Sequence, residues 1–263
     1  MMQGPAWEQD IVFIGDIHRQ WRHVAQGLAK ARRRPRVAVL LGDMECDQPL
    51  DVAAAPLLDA GIEVHWIWGN HDYDGGPEMW TNLVDAGRNP RTRQGELNAR
   101  VTDIGGLRIA GLGGTFRRRV WEPPGAPQLH SRNDLPADMT RLGPDWTEAQ
   151  RRSMADALAA MAIWPEDVEA LSALRADVLV THEAPSSHPQ GVSALDALAR
   201  RMGARLVIHG HHHVCYRARA EDGLEVQGVG AGWGMGIDGR PWWPGEADRW
   251  LGQAPAGWSH LQG

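Results

Sequence analysis

Short apolar runs, each cut off by a glycine, recur through the first seventy positions. Ile11 to Ile14 ends at Gly15, Val37 to Leu41 at Gly42, and Glu63 to Trp68 at Gly69. Runs with little polar alternation, too short to be free-standing helices, read as strands buried on both faces. Between them lie helical patterns. Trp21, Val24 and Leu28 fall at i, i+3 and i+7, and Leu57 and Leu58 sit in a short helix stopped at Gly61. Strand and helix in alternation dictate a parallel sheet, because a short turn cannot join parallel neighbours.

The pattern changes after residue 70. Pro77 opens a helix carrying Met79, Trp80, Leu83 and Val84. Arg100 to Ile104 and Leu107 to Gly111 flank Gly105-Gly106 and read as a hairpin. The stretch from about Arg117 to Asp145 is rich in Arg, Pro and Gly and reads as a long loop of the kind that covers substrate. Thr147 and Gln150 form a capping box before a helix with Met154, Leu158 and Met161, and Pro165 opens the next. Strand patterns return at Val178 to Val180 and Leu206 to Ile208, with a helix stopped at Gly203 between them. Val214 to Arg219 with Leu224 to Val229 reads as a closing hairpin. The Gly-, Pro- and Trp-rich tail after Gly230 shows no clear pattern. One domain spanning 1–263 is expected, with a lid or helical insertion at about 115–176.

Composition narrows the function. The chain has 263 residues and no apolar run long enough to cross a membrane. The segment Met1 to Asp10 lacks the apolar stretch of a signal peptide, so the cytoplasm is the expected location. Two cysteines, Cys46 and Cys215, make no disulfide framework or zinc ribbon. A net charge of −6 argues against general affinity for nucleic acid.

Five polar clusters sit where the strand runs end: Asp16-Ile17-His18, Gly42-Asp43, Gly69-Asn70-His71-Asp72, Thr181-His182-Glu183 and His209 to His213. In an open α/β sheet the carboxyl ends of strands meet at one edge, where ligands bind. Carboxylate, imidazole and amide oxygen gathered there suit Mn, Fe or Zn. Asp16 and His18 share a spacing of two with His211 and His213, which in extended backbone places each pair on one side. A carboxylate such as Asp43 has two oxygens and can bridge two ions. A pair of ions ~3.5–4 Å apart can hold both the attacking and the leaving oxygen of an in-line displacement.

Taken in order, Gly15-Asp-Ile-His18, Gly42-Asp43, Gly69-Asn-His-Asp72, Thr181-His182 and Gly210-His-His-His213 resemble the motif series of the calcineurin-like metallophosphoesterase superfamily. The resemblance runs from residue 15 to residue 213. It implies a four-layer sandwich of two mixed β-sheets flanked by helices, and hydrolysis of phosphate esters by a metal-bridging hydroxide. By motif, Asp16, His18 and His213 would hold one divalent metal ion, and Asn70, His182 and His211 a second. Asp43 would lie between the two. His71 would protonate the leaving oxygen, and Asp72 would orient the His71 ring. The protein serine/threonine phosphatases of that superfamily carry glycine at the position of Arg19, an acidic residue and an arginine around Cys46, and glutamate at Asp72. This chain departs from them at all of these points.

Arg19 and the run Arg117-Arg118-Arg119 are candidate phosphate contacts. His209 shares the parity of His211 and is expected near the site, and a register with His209 and His211 as ligands fits the spacing less in the manner of the family. His212 is expected to point away. The expected partner is a small phosphorylated molecule, a phosphomonoester or a small phosphodiester or nucleotide. A nucleic-acid phosphatase or nuclease and a non-catalytic scaffold of the same fold are the competing readings.

Overall fold

The computed structural model describes residues 10–135, 145–246 and 255–261. Residues 136–144 of the Arg/Pro/Gly-rich stretch and 247–254 of the tail fall outside them. Twelve strands form two mixed sheets. In the first, β1 (Ile11–Ile14), β2 (Val37–Leu40) and β3 (Glu63–Trp66) run parallel. Two late strands, β10 (Gly234–Gly236) and β11 (Pro241–Trp243), extend this sheet antiparallel beyond β1. In the second sheet β5 (Leu107–Leu112), β6 (Val178–Thr181), β7 (Leu206–His209) and β9 (Glu225–Gly228) are parallel. The two expected hairpins close its edges: β4 (Arg100–Ile104) on β5, and β8 (Tyr216–Ala220) on β9. β12 (Trp258–His260) lies outside β8.

Strand parity builds the layers. Side chains alternate between the two faces of a strand. Ile11 and Phe13 therefore enter the core between the sheets, with Val37, Val39, Ile109, Val178, Val180 and Ile208. Val12 and Ile14 face the other way, onto Val24 of helix α1 (Trp21–Lys30). That outer layer continues with the short helices α2 (Leu50–Ala53) and α3 (Ala55–Leu58) and with α4 (Pro77–Val84). Across the molecule, Leu112, Leu179 and Val207 pack against Leu171 of α6 (Pro165–Ser172) and Leu195, Leu198 and Met202 of α7 (Ser193–Met202). The order of layers is helix, sheet, sheet, helix, as the motifs imply. Each buried Leu, Ile or Phe contributes about 1.5–3 kcal/mol, so three stacked cores leave the sheets little freedom to shift.

The segment between β5 and α6 stands outside these layers. Its helix α5 (Glu148–Met161) begins at the expected Thr147–Gln150 capping box. With Val120, Leu129 and Leu135, residues Ala155, Leu158, Ala162 and Trp164 form a separate small core. Thr115 pairs with Ala162 in an isolated bridge that closes the segment. Because Leu171 of α6 packs on the second sheet, the excursion ends near Trp164 and not at the expected residue 176.

Candidate metal centre

The carboxyl ends of β1, β2 and β3 in one sheet and of β6 and β7 in the other meet at a common edge. The loops there are tightly wound. His18, Asp43, His211 and His213 have φ of 44, 50, 70 and 56, and Arg19 and Glu45 also lie in the left-handed region. Strained non-glycine backbone costs on the order of 1–3 kcal/mol per residue and persists where its surroundings hold it. It also replaces the extended geometry expected for Asp16/His18 and His211/His213. These residues come together through turns, not through strand parity. Two glycines make the approach possible. A Cβ on Gly69 would lie 2.1 Å from Asp43 Oδ1, and one on Gly42, at φ 98, would lie 2.5 Å from His182 Nδ1.

Three groups of potential ligand atoms result among the described residues. Asp16, His18 and His213 form one, Asp43, His182 and His211 a second, and Glu183, His211 and His212 a third that shares His211, each with all its ligand atoms within 4.8 Å of one another. Asn70 joins the second, its Oδ1 being 3.1 Å from His182 Nε2. One brace crosses between the sheets, the His211 amide donating to both Asp16 oxygens, and a second joins two loops of the first sheet, the His71 amide donating to Asp43 Oδ1.

The proton inventory shows what these groups lack. His182 Nδ1 lies 2.7 Å from the Leu41 carbonyl, which can only accept, so Nδ1 carries a hydrogen. In the neutral ring the Nε2 lone pair then faces Asn70 Oδ1 and Asp43 Oδ2, the latter at 3.3 Å. Asp43 Oδ2 is buried and accepts no well-aligned hydrogen bond. In the other group His18 Nδ1 is 2.6 Å from Glu45 Oε1, so its Nε2 lone pair points at His213 Nε2, 3.0 Å away. Nitrogen and oxygen atoms able to ligate a metal converge in both places, an arrangement suited to a cation. The donor set is imidazole, carboxylate and amide, so the residues fit Mn, Fe or Zn.

The same contacts shift the titration of these groups. Burial pushes the Asp16 carboxyl up to about 7, with His182 opposing and Asp43 adding to the shift. Burial also works against charge on the His182 ring, yet Asp43 and Asp16 lift it to about 10. Asp43 is buried too, but His182 and the His71 amide hold it below the usual carboxylate range. Burial and the neighbouring His182 push His211 down to about 3, leaving a neutral ring of the kind that ligates metal.

Around this centre several roles differ from expectation. Asp72 does not orient His71. Its buried carboxylate accepts the amides of Glu45 and Gly69 and fastens two loops together. Asp74 takes that place, with Oδ2 2.6 Å from His71 Nδ1. Its hydrogen bond and charge outweigh burial and raise the His71 pKa. His209 is buried beside the Tyr216 hydroxyl, 2.8 Å away, and burial pushes its ring down to about 3. It therefore supports the β7 end from behind. His212, expected to point away, stacks on His188 at 3.9 Å and groups with His211 and Glu183. Arg19 sits half-exposed at the mouth, paired with Glu45 and Asp47 at 3.2 and 3.1 Å. Arg117 lines a depression against α5 together with Met154 and Leu158.

Sequence reasoning missed Glu45, Asp74 and Glu183. Glu183 is buried with its Oε1 3.6 Å from His212 Nε2 and 3.9 Å from His211 Nε2. Its position next to His182 was the only signal. A cavity of about 650 Å³ between Arg36, Glu63 and Ile104 lies at the opposite end, where the strands begin, away from the ligand groups.

A two-sheet α/β sandwich with paired nitrogen-and-oxygen ligand groups at its strand ends defines a class of metal-dependent phosphoester hydrolases. The chain belongs to the calcineurin-like phosphoesterase family, whose model matches residues 10–215. An uncharacterized protein of Haemophilus influenzae is 33% identical over 221 residues, 84% of this chain and 90% of that one. Among solved structures, a protein of Thermus thermophilus aligns over 88% of this chain and 96% of its own, with TM-score 0.52 and 14% identity. A dimetal phosphatase from Danio rerio aligns over 84% and 87%, with TM-score 0.50 and 14% identity. These two likenesses show the shared fold.

Proposed function

We propose that this chain hydrolyses small phosphate esters, monoesters or diesters, at a two-metal centre with Asp43 between the ions. The observation that carries the reading is the convergence of carboxylate, imidazole and amide ligand atoms from five strand ends into adjoining groups around Asp16 and Asp43. Asp16, His18 and His213 would hold one ion and Asn70, His182 and His211 the other. Such ions, Mn, Fe or Zn by donor type, would polarise phosphoryl oxygens and acidify a water. The chain's own residues supply the rest. The Asp43 and Asp16 carboxylates are fixed by backbone amides, so the centre is preorganised. His71, whose pKa Asp74 raises, would give a proton to the leaving oxygen. Arg19, at the rim, is the nearest candidate cation for a phosphate oxygen once it exchanges partners with Glu45 and Asp47.

We read the chain as one domain with an insertion, acting on a small molecule in the cytoplasm. Among the described residues no helix is long and apolar enough to cross a membrane. The acidic net charge disfavours nucleic acid as substrate. Hydrolysis of p-nitrophenyl phosphate, its bis ester and its phenylphosphonate, with Mn²⁺, Fe²⁺ or Zn²⁺ supplied, tests the proposal, alongside elemental analysis. Activity with about two ions per chain is expected. A folded protein that binds no metal and cleaves none of the three would overturn it and favour the scaffold reading.

A further inference from the structure

A groove leads from the candidate acid onto the insertion. Helix α5 turns Met154, Ala157 and Met161 toward Tyr73 and Asp74, with Trp146 beyond its first turn, and the walls enclose about 560 Å³. These helix positions follow the three- and four-residue spacing of a single face. Asp74 belongs to both places: its Oδ2 is 2.6 Å from His71 Nδ1, and the same side chain lines the groove.

The wall chemistry selects against a second phosphate. The charged side chain at this end is an acid, Asp74, and the α5 wall opposite sets Met154, Ala157 and Met161 beside the uncharged Gln150 and Ser153. Trp146 is braced by the Arg119 guanidinium, 5.7 Å from its ring centre. Indole, phenol ring and methionine sulfur together favour a flat aromatic group, through edge or offset contacts and sulfur–aromatic contacts. Asp74 holds His71 Nδ1, so Nε2 is the ring position left to serve a leaving oxygen, and the groove opens beside the Asp74 that holds this ring.

We propose that this groove is the leaving-group pocket and selects phosphate esters whose leaving group bears an aromatic ring, which seats between Tyr73 and the Trp146, Met154 and Met161 side chains. The proposal rests on the hydrolase reading and names its substrate class. Benzyl phosphate and ethyl phosphate release alkoxides of similar basicity, so the ratio of their kcat/KM values isolates the groove from the chemical step. A ratio of at least about tenfold in favour of benzyl is expected from seating one ring. Ala157→Trp, which fills the groove, and Trp146→Ala, which opens it, should each pull the ratio toward one. A ratio near one in the unmodified protein, or one that neither variant moves, would overturn the pocket while leaving the hydrolase reading intact. A protein inactive on both esters and on p-nitrophenyl phosphate would instead count against that reading. The pocket is then judged by binding alone. With methyl-labelled methionine, benzyl alcohol should shift the Met154 and Met161 resonances by ring current, less so in Ala157→Trp, and unmoved resonances would refute it.

Discussion

In the strand-end loops, side chains are held by backbone. The Asp16, Asp43 and Asp72 carboxylates each accept main-chain amides from a different loop, and residues between them sit at positive φ. In the insertion, backbone is held by side chains. Trp164 is fully buried and donates its indole N–H to the Leu158 carbonyl, and Arg132 spans Ala159, Glu166 and Asp167. The first arrangement locks geometry at the cost of strain and leaves no room for change. The second makes a module with its own core, attached to the sandwich at the Thr115–Ala162 bridge and through its packing. On the proposed reading, chemistry belongs to the first and selection of substrate to the second.

The sharpest way to break that division is Asp43→Asn. The variant keeps the shape but removes the charge shared by the two ligand groups. A loss of about 10³-fold in kcat is expected, the scale of several kcal/mol that metal-ion catalysis supplies, together with a fall in bound metal by elemental analysis. The fold should survive, because an unpaired buried carboxylate oxygen has been neutralised. Near-normal turnover with full metal content would show that the chemistry lies elsewhere.

Leu158→Ala probes the other side. Leu158 is 6% exposed in the insertion core. Truncating a buried leucine costs about 2–5 kcal/mol, to be read in the urea midpoint. Hydrogen exchange in α5 should quicken while β1 and β6 stay protected, and metal content should hold. Exchange that rises equally in all three elements would mean that insertion and sandwich open as one unit.

Asp74→Asn tests the junction between them. The His71 ring would lose its anionic partner, and turnover of alkyl esters should drop about tenfold, with a smaller drop for p-nitrophenyl phosphate, whose leaving group needs little protonation. Asp72→Asn should behave otherwise. It leaves one buried amide short of an acceptor, a loss of about 1–3 kcal/mol of stability. If Asp72→Asn shows the leaving-group dependence and Asp74→Asn does not, the two assignments are exchanged.

The same contrast explains what could be read from the sequence. Strands buried on both faces leave unbroken apolar runs, so β1, β2, β6 and β7 were legible, and so were the ligand types at their ends. The orienter of His71 was not. Residues 71–74 form a turn in which the Asp74 amide meets the His71 carbonyl at 3.1 Å, so i and i+3 are neighbours and the adjacent Asp72 faces away. Strands β10 and β11 were also hidden, because Gly234-Met-Gly236 carries no pattern of its own. Its place is set by distant partners, Val12 to Ile14 on one side and the Trp243 ring packed over Gly234 on the other. The insertion core draws Val120, Leu129 and Leu135 from a stretch that looks like loop, and only α5 beneath them gives those residues a common face.

The smallest expected effect is at the clasp that ties the insertion to α6. Arg132 meets both Asp167 oxygens, at 2.9 and 2.7 Å, and Glu166 at 2.9 Å, with its guanidinium 5.4 Å from the centre of the Trp164 ring. Lysine keeps the charge but loses the planar fork and the stacking. The side chain is one-third exposed, so solvent screens the pairs. Arg132→Lys should therefore cost only about 1 kcal/mol, and the deficit should shrink in roughly 1 M salt as exposed charges are screened. A deficit that salt leaves unchanged would place the contribution in the contact with Trp164. Turnover should be unaltered, since the clasp lies within the module and α6. A parallel fall in kcat would mean that strain at the clasp reaches the His71 loop, and the separation of chemistry from selection would fail there.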